Sequence, residues 1–369
     1  MISKNIYELG LDKNSANFAA LTPLNFIERA ASVYPERTSI INGEQKFTWI
    51  QTYHRSCLLA SALRKFGVGI GDTVSFMGAN TPETFEAHFG VPMTGAVLNA
   101  LNVRLDSKAI AFILEHAETK ILFTDREYSS TISEALALMQ HKPVVVDIND
   151  TQFDRGEFLG EMDYEAFIAS GDDSYQNFKV ADEWQAIALN YTSGTTGDPK
   201  GVVSHHRGAY LNAISMSLCW ELTGHPVYLW TLPMFHCNGW CFPWTIALLA
   251  GTNVCLRHVR DEAMYVAMRD HEVTHFCGAP VVLNTLLNAS DEVKSGMRKG
   301  IKAMTAGAAP PAAVLAGMDE IGFEVTHVYG LTETYGPCVV NSPQDTWVRL
   351  DVEQRAELAA RQGVRAPLQ

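Results

Sequence analysis

The run Tyr191-Thr192-Ser193-Gly194-Thr195-Thr196-Gly197-Asp198-Pro199-Lys200-Gly201-Val202 follows directly on an apolar stretch, and it gathers five hydroxyl side chains, three glycines and a lysine. Such residues suit anionic oxygens. Glycine lets backbone N–H groups approach closely, the hydroxyls add donors, and Lys200 places a compact positive charge at the edge of the cradle. The pattern differs from a P-loop, where Gly precedes the lysine and Ser or Thr follows it. Here Pro199 precedes Lys200 and Gly201 follows, so the lysine is not presented from the first turn of a helix. The bland alternative for the same residues is a flexible Gly/Thr surface loop.

Three later clusters also carry chemistry. Pro233-Met234-Phe235-His236-Cys237-Asn238-Gly239-Trp240 sets an imidazole, an amide and an indole around a glycine, which suits an apolar pocket that orients one polar head group. A satisfied core histidine beside a packing tryptophan fits these residues equally well. Thr305-Ala306-Gly307-Ala308-Ala309-Pro310-Pro311 is a small-residue turn, flat enough for a planar ring. His327-Val328-Tyr329-Gly330-Leu331-Thr332-Glu333-Thr334 offers an aromatic face, a glycine, a hydroxyl and a carboxylate in quick succession. Tyr329 can stack on a base and Glu333 can hold Mg²⁺, a cation that takes oxygen ligands and bridges to phosphates. The alternative is a strand end capped by Thr332 before a helix beginning near Glu333.

The elements that must position these clusters alternate along the chain. Thr38 to Ile41, Thr73 to Met77, Lys120 to Thr124 and Pro143 to Val146 read as strands. So do Ala186 to Tyr191, Val227 to Leu232, Asn253 to Leu256, Thr274 to Cys277, Lys302 to Ala306 and Val325 to Tyr329. Between them Trp49 to Phe66, Pro82 to Val91, His205 to Trp220, Asp261 to Arg269 and Pro311 to Met318 read as helices. Phe85 and Phe89, four apart, share one helical face. This alternation predicts an α/β protein with mostly parallel sheets, whose strand ends are where ligand loops gather. The acidic, aperiodic stretch Asp150 to Asp182 is expected to connect two subregions, about 20–180 and 185–345, before a charged tail at 346–369.

Bulk properties narrow the class. The 369 residues carry a formal charge of -13, which argues against nucleic acid or an anionic membrane as the main partner. The seven cysteines are odd in number and several sit in apolar runs, as expected of reduced, buried thiols. His236, Cys237 and Cys241 lack a second ligand pair at zinc-like spacing. The first residues show no secretory signal pattern and no run approaches the length of a membrane span, so a cytoplasmic location is expected.

The cradle resembles the signature of the AMP-forming adenylating superfamily, and the four clusters follow in that superfamily's order from about residue 20 to about residue 345. Within it the chain is most similar to fatty-acid and related carboxylic acid–CoA ligases. The resemblance implies the large N-terminal core of the adenylate-forming fold across residues 1–369: two stacked αβ sheet subdomains, with a small β-subdomain as an option. The family's C-terminal lid domain, with its hinge and catalytic lysine, is not visible here, so a truncated core that binds nucleotide and turns over poorly is expected.

By the same resemblance, Thr192, Ser193, Gly194, Thr195, Thr196, Gly197 and Lys200 embrace the ATP phosphates, while Thr192 and Glu333 ligate Mg²⁺. Gly307, Ala308, Ala309 and Pro310 with His327, Val328 and Tyr329 form the adenine slot, and Cys237 lies beside the nucleotide. Thr332 touches the α-phosphate, and His236 lines the acyl carboxylate site with Trp240 and Gly330. The implied reaction joins a carboxylic acid to coenzyme A through an acyl-adenylate, releasing AMP and pyrophosphate. Histidine at 236 cannot pair with a substrate ammonium, and Gly330 stands where acetate-specific relatives close the pocket with tryptophan. A medium- to long-chain fatty acid is therefore expected, with aryl or thioether acids as alternatives. A homodimer is implied by the resemblance alone, and a non-catalytic nucleotide-binding or dimerisation fragment is the competing class.

Overall fold

The computed structural model of the chain describes residues 5–175, 178–192 and 198–368. The first strands are β1 (Thr38–Asn42), β2 (Gln45–Thr48), β3 (Thr73–Met77), β4 (Val97–Ala100), β5 (Thr119–Asp125) and β6 (Val144–Ile148). Then come β7 (Ala186–Thr192), β8 (Lys200–His205), β9 (Val227–Trp230), β10 (Thr252–Cys255) and β11 (His275–Gly278). The last are β12 (Ile301–Thr305), β13 (Phe323–Leu331), β14 (Gly336–Val340) and β15 (Val364–Arg365).

Among the described residues these strands form two sheets, one ordered β6-β5-β3-β4-β7-β8 and the other β15-β14-β13-β12-β11-β9-β10-β1-β2. The central pairings are parallel, and antiparallel pairs lie toward the edges: β7 with β8, β1 with β2, β13 with β14, and β14 with β15. The sheets therefore interleave along the chain and do not divide at 180–185. The early pair β1–β2 joins the larger sheet, and β7–β8, which flank the cradle, join the smaller one.

Helices fill the spaces between and around the sheets. Trp49–Lys65 starts at a capping box between Thr48 and Gln51 and ends on Arg64 and Lys65, charges that suit a helix C-terminus. Pro82–Gly90 carries its proline at the start, where no N–H is missed. These helices, with Leu24–Val33, His206–Cys219 and Phe242–Leu248, contribute Trp49, Phe85, Phe89, Met216 and Trp244 to a core shared with Ile187 and Trp230 of the two sheets. A second core covers the larger sheet's outer face through Asp261–Asp270 and Pro280–Leu287. The smaller sheet is covered on one face by Trp49–Lys65 and Tyr164–Ala169, and on the other by Ser107–His116 and Ser129–Leu138.

The stretch expected as a connection is part of that packing: Tyr164, Phe167 and Ile168 are buried against the smaller sheet. The charged tail is also built in. Its helix Val352–Ala359 is followed by β15, which pairs with β14. One buried cluster fastens the sheets together. Arg257, just past β10 and 4% exposed, donates to Asp125 at 2.6 Å, Glu127 at 2.8 Å and Asp150 at 2.7 Å, all contributed by the smaller sheet's side.

Candidate functional site

The C-terminal ends of the parallel strands from both sheets converge on three adjoining cavities. The first, about 390 Å³, is lined by Asn99, Asn190, Tyr191, Thr192, Cys237 and Thr332 among others. The second, about 620 Å³, reaches Asn80, Arg104, Trp240, Arg257, Arg260 and Gly307. The third, about 160 Å³, lies between Cys237, Trp240, Gly307, Gly330, Thr332 and Pro337. His236 lines all three. His236 is exposed to the cavities, yet the protein packed around it, and then the charge of Arg104, push its imidazole below the ordinary value, which favours the uncharged ring with one donor and one acceptor.

Segment 237–241 is an unusual piece of backbone. Cys237, Asn238, Gly239, Trp240 and Cys241 all have positive φ, from 42° to 66°, forming a left-handed turn that L-residues adopt only at a cost. The turn puts the Cys237 thiol against Thr332, Sγ to Oγ1 3.4 Å, and the Trp240 indole between the second and third cavities. Burial raises the Cys237 pKa, which the Thr332 contact partly opposes; the group is a neutral thiol and no nucleophile. None of the seven cysteines forms a disulfide among the described residues.

Thr192 ends β7 and pairs in register with Lys200, the exposed first residue of β8. Ser193, Gly194, Thr195, Thr196 and Gly197 lie outside the described residues. The turn Thr332–Thr334 packs against both β7 and β8, which brings Glu333 to the same hairpin; it is a single 3-10 turn and does not continue as an α-helix, because β14 follows after Tyr335. Glu333 is exposed and makes no ion pair among the described residues. Glu333 thus lies on a turn packed against β7, the strand that ends at Thr192, and a carboxylate and a hydroxyl are oxygen donors of the kind that Mg²⁺ takes.

Neighbouring strands β12 and β13 pair Thr305 with His327, so the small-residue turn and the segment Tyr329–Gly330 emerge side by side. Gly307 has φ +89° and open space around it, and Ala308 and Ala309 are exposed, so this face is flat and accessible. Pro310 is buried and Val328 belongs to the core; they support the slot from behind. The His327 side chain is engaged elsewhere. It is 2% exposed, and Nδ1 donates to the carbonyls of Ala360 at 2.9 Å and Arg361 at 3.0 Å, at the end of the tail helix.

Gly330 has a structural reason as well as a spatial one. A Cβ there would meet the Gly336 carbonyl oxygen at 2.0 Å. Sequence reasoning missed Asn80, Asn190, Arg104, Gly336 and Pro337, which also line these cavities. The one available signal was position: Asn80 sits past a strand end before Pro82, as His236 does past β9.

The model of the family described as AMP-binding enzyme matches residues 27–367. The chain is 48% identical over 368 residues to the acetate/butyrate–CoA ligase AAE7, peroxisomal, of Arabidopsis thaliana, covering 96% of this chain and 65% of that protein. It is 46% identical over 358 residues to the peroxisomal benzoate–CoA ligase of Arabidopsis thaliana, covering 95% and 62%. The chain thus spans just under two thirds of the length of these relatives. In structure it resembles the N-terminal domain of FACL13 from Mycobacterium tuberculosis, with a TM-score of 0.79 at 20% identity over 94% of this chain and 83% of that one.

The names of these two curated relatives overturn the expected cytoplasmic location, since both are peroxisomal proteins. Absence of a secretory pattern never excluded an organelle reached by another signal. No helix among the described residues is long and apolar enough to cross a membrane. With the matched model extending over most of its length, the chain belongs to the AMP-binding enzyme family.

Proposed function

We propose that this chain forms the acid- and nucleotide-binding core of an acid–CoA ligase that activates a short-chain or aromatic carboxylic acid through an acyl-adenylate. The observation that carries this reading is the meeting of three cavities at His236, with the Cys237–Thr332 pair lining two of them. A carboxylate held by the neutral His236 ring faces Thr332, while AMP lies against Gly307–Ala309 and Tyr329. A carboxylate oxygen attacks the α-phosphorus, the bond to the bridging oxygen breaks, and pyrophosphate leaves with its electron pair. Positioning two anions is the main task, and the hydroxyls of Thr192 and Thr332 with Lys200 serve it. Thr192 and Glu333 would hold Mg²⁺, which neutralises phosphate charge when bound.

In the second step a CoA thiol loses its proton and attacks the acyl carbonyl, and AMP departs. The 620 Å³ cavity supports a polyanionic co-substrate of this kind, because Arg104, His258 and Arg260 are exposed around it on a chain of net charge -13.

The third cavity argues for a small acid. Its volume of about 160 Å³ compares with the roughly 150 Å³ cavity that takes a benzene ring, and the relatives named above act on acetate, butyrate and benzoate. This replaces the medium- to long-chain acid expected from Gly330. Isothermal titration of acetate, butyrate, benzoate, octanoate and palmitate with ATP present tests it. Tightest binding is expected for butyrate or benzoate, and tightest binding of palmitate overturns the reading. Pyrophosphate exchange with the preferred acid then separates a ligase core from a nucleotide-binding fragment.

A further inference from the structure

The loop that carries His236 belongs to the larger sheet, yet its backbone is gripped by the smaller one. Asn80, just past the end of β3 and 8% exposed, donates from Nδ2 to the carbonyls of Trp230 at 2.8 Å and Leu232 at 3.1 Å. Its Oδ1 accepts the Met234 N–H at 2.8 Å. Asn190 on β7 donates from Nδ2 to the Phe235 carbonyl at 3.1 Å. Residues 230, 232, 234 and 235 are thus bound in succession, and the next residue is His236.

We propose that Asn80 is the positioning residue for His236, with Asn190 as the second point of the grip. The inference rests on the reading of His236 as the partner of the acid. Asn190 lies two residues before Thr192 on β7, so the strand that presents a phosphate-side hydroxyl also holds the histidine loop. The grip therefore sets the separation between the acid site and the nucleotide site. Inside the loop itself, His236 N–H bonds the Pro233 carbonyl, which shapes a turn but does not anchor it to the other sheet.

The chemistry is specific to a carboxamide. Asn80 uses both of its N–H donors and one acceptor lone pair, and no other side chain of that length offers the same set. Alanine leaves two carbonyls and one N–H without partners in a buried place. An ionised aspartate keeps the acceptor but turns a negative charge toward two carbonyl oxygens; when protonated it regains one donor.

The test measures the affinity of the chain for AMP and for a non-hydrolysable benzoyl-adenylate analogue, benzoyl-sulfamoyl-adenosine, by calorimetry. The ratio of the two dissociation constants reports the acyl site alone. For the wild type a ratio of about 100 is expected. In Asn80→Ala the ratio should fall about tenfold or more, with the AMP affinity within about threefold of wild type. In Asn80→Asp the ratio should be low at pH 8 and recover as the pH is lowered, which also decides the case where the alanine variant does not fold. An Asn80→Ala ratio equal to wild type, equal weakening of both ligands, or a pH-independent Asn80→Asp ratio overturns the proposal. A wild-type ratio near one instead overturns the acid-site reading, and the proposal with it.

Discussion

The Sγ of Cys237 and the Oγ1 of Thr332, 95 residues apart in sequence, lie 3.4 Å from each other, and both residues line the 390 Å³ and the 160 Å³ cavities. A neutral thiol is a weak hydrogen-bonding partner, so it fills space while leaving the hydroxyl able to turn toward an incoming phosphate.

That relationship makes the two positions unequal. On the proposed reading Thr332 donates to the developing charge, so Thr332→Val should slow adenylate formation about 100-fold or more. Cys237→Val keeps the volume of the side chain and removes only the weak contact, so a loss of about tenfold or less is expected. Pyrophosphate exchange at saturating acid checks both, and equal losses at the two positions would contradict this division of labour.

Gly330 invites a different experiment. Its Cβ position coincides with the carbonyl of Gly336 and lies 2.9 Å from Pro337 Cα, backbone atoms that cannot swing aside, at a register shift in the β13–β14 pairing. Gly330→Ala should therefore destabilise by about 1–3 kcal/mol through overpacking, whichever acid is bound. Gly224→Ala, with nothing within 4 Å of its Cβ, serves as the control and should leave the melting temperature nearly unchanged. If the two variants melt together, the glycine at 330 is there for pocket space alone.

The same two glycines show where sequence reading ends. Runs such as Thr73 to Met77 are legible because a buried parallel strand is rich in apolar and β-branched residues, here Val74, Phe76 and Met77 beside Thr73. β4 and β8 are less so: β4 is four residues ending in Asn99-Ala100, and β8 begins with an exposed lysine and glycine. The four chemical clusters could be found because they sit at strand ends, yet their side chains were not all aimed at the site. His327 looks like a slot residue in sequence, but its ring and Asn341 cap the last carbonyls of the tail helix. Asn80 shows the reverse case. Its role consists of bonds to backbone atoms about 150 residues away, and no periodicity or spacing records such contacts.

Stability should respond to pH through Glu83. Its Oε2 is buried without a hydrogen bond, and burial, reinforced by the nearby Glu86 and Asp150 charges against an opposing Thr81 contact, pushes the carboxyl up to about 7 from 4.5. Between those values the unfolded chain has released the proton while the folded chain keeps it, so this group's contribution to stability falls as pH rises from 4.5 to 7. His88, His206 and His275, each lowered to about 4 mainly by burial, act oppositely between pH 4 and 6.5 and mask the effect in the wild type. The difference between Glu83→Gln and wild type cancels them. That difference in melting temperature should move in favour of the variant from pH 4.5 to 7 and then level off; a flat difference would show that Glu83 ionises normally.

Trp240 separates the 160 Å³ cavity from the 620 Å³ cavity, and its place there depends on the left-handed turn. At φ +54° the residue is held in a conformation worth about 1–2 kcal/mol of strain, and Gly336 packs so closely that an added Cβ would be 3.3 Å from the Trp240 Cα. The backbone therefore stays put when the side chain is shortened, and the indole volume becomes available to substrate. Trp240→Ala should join the two cavities, weaken benzoate by loss of its apolar wall, and strengthen octanoate, changing the octanoate-to-benzoate preference by about tenfold or more. Trp240→Phe keeps most of the wall and should retain the wild-type preference. Both variants lose buried surface, so overall stability falls in each, and only the preference ratio, measured by titration with ATP present, distinguishes a wall from a packing residue. An unchanged ratio in Trp240→Ala would place the limit on acid size elsewhere, at Gly336 and Pro337.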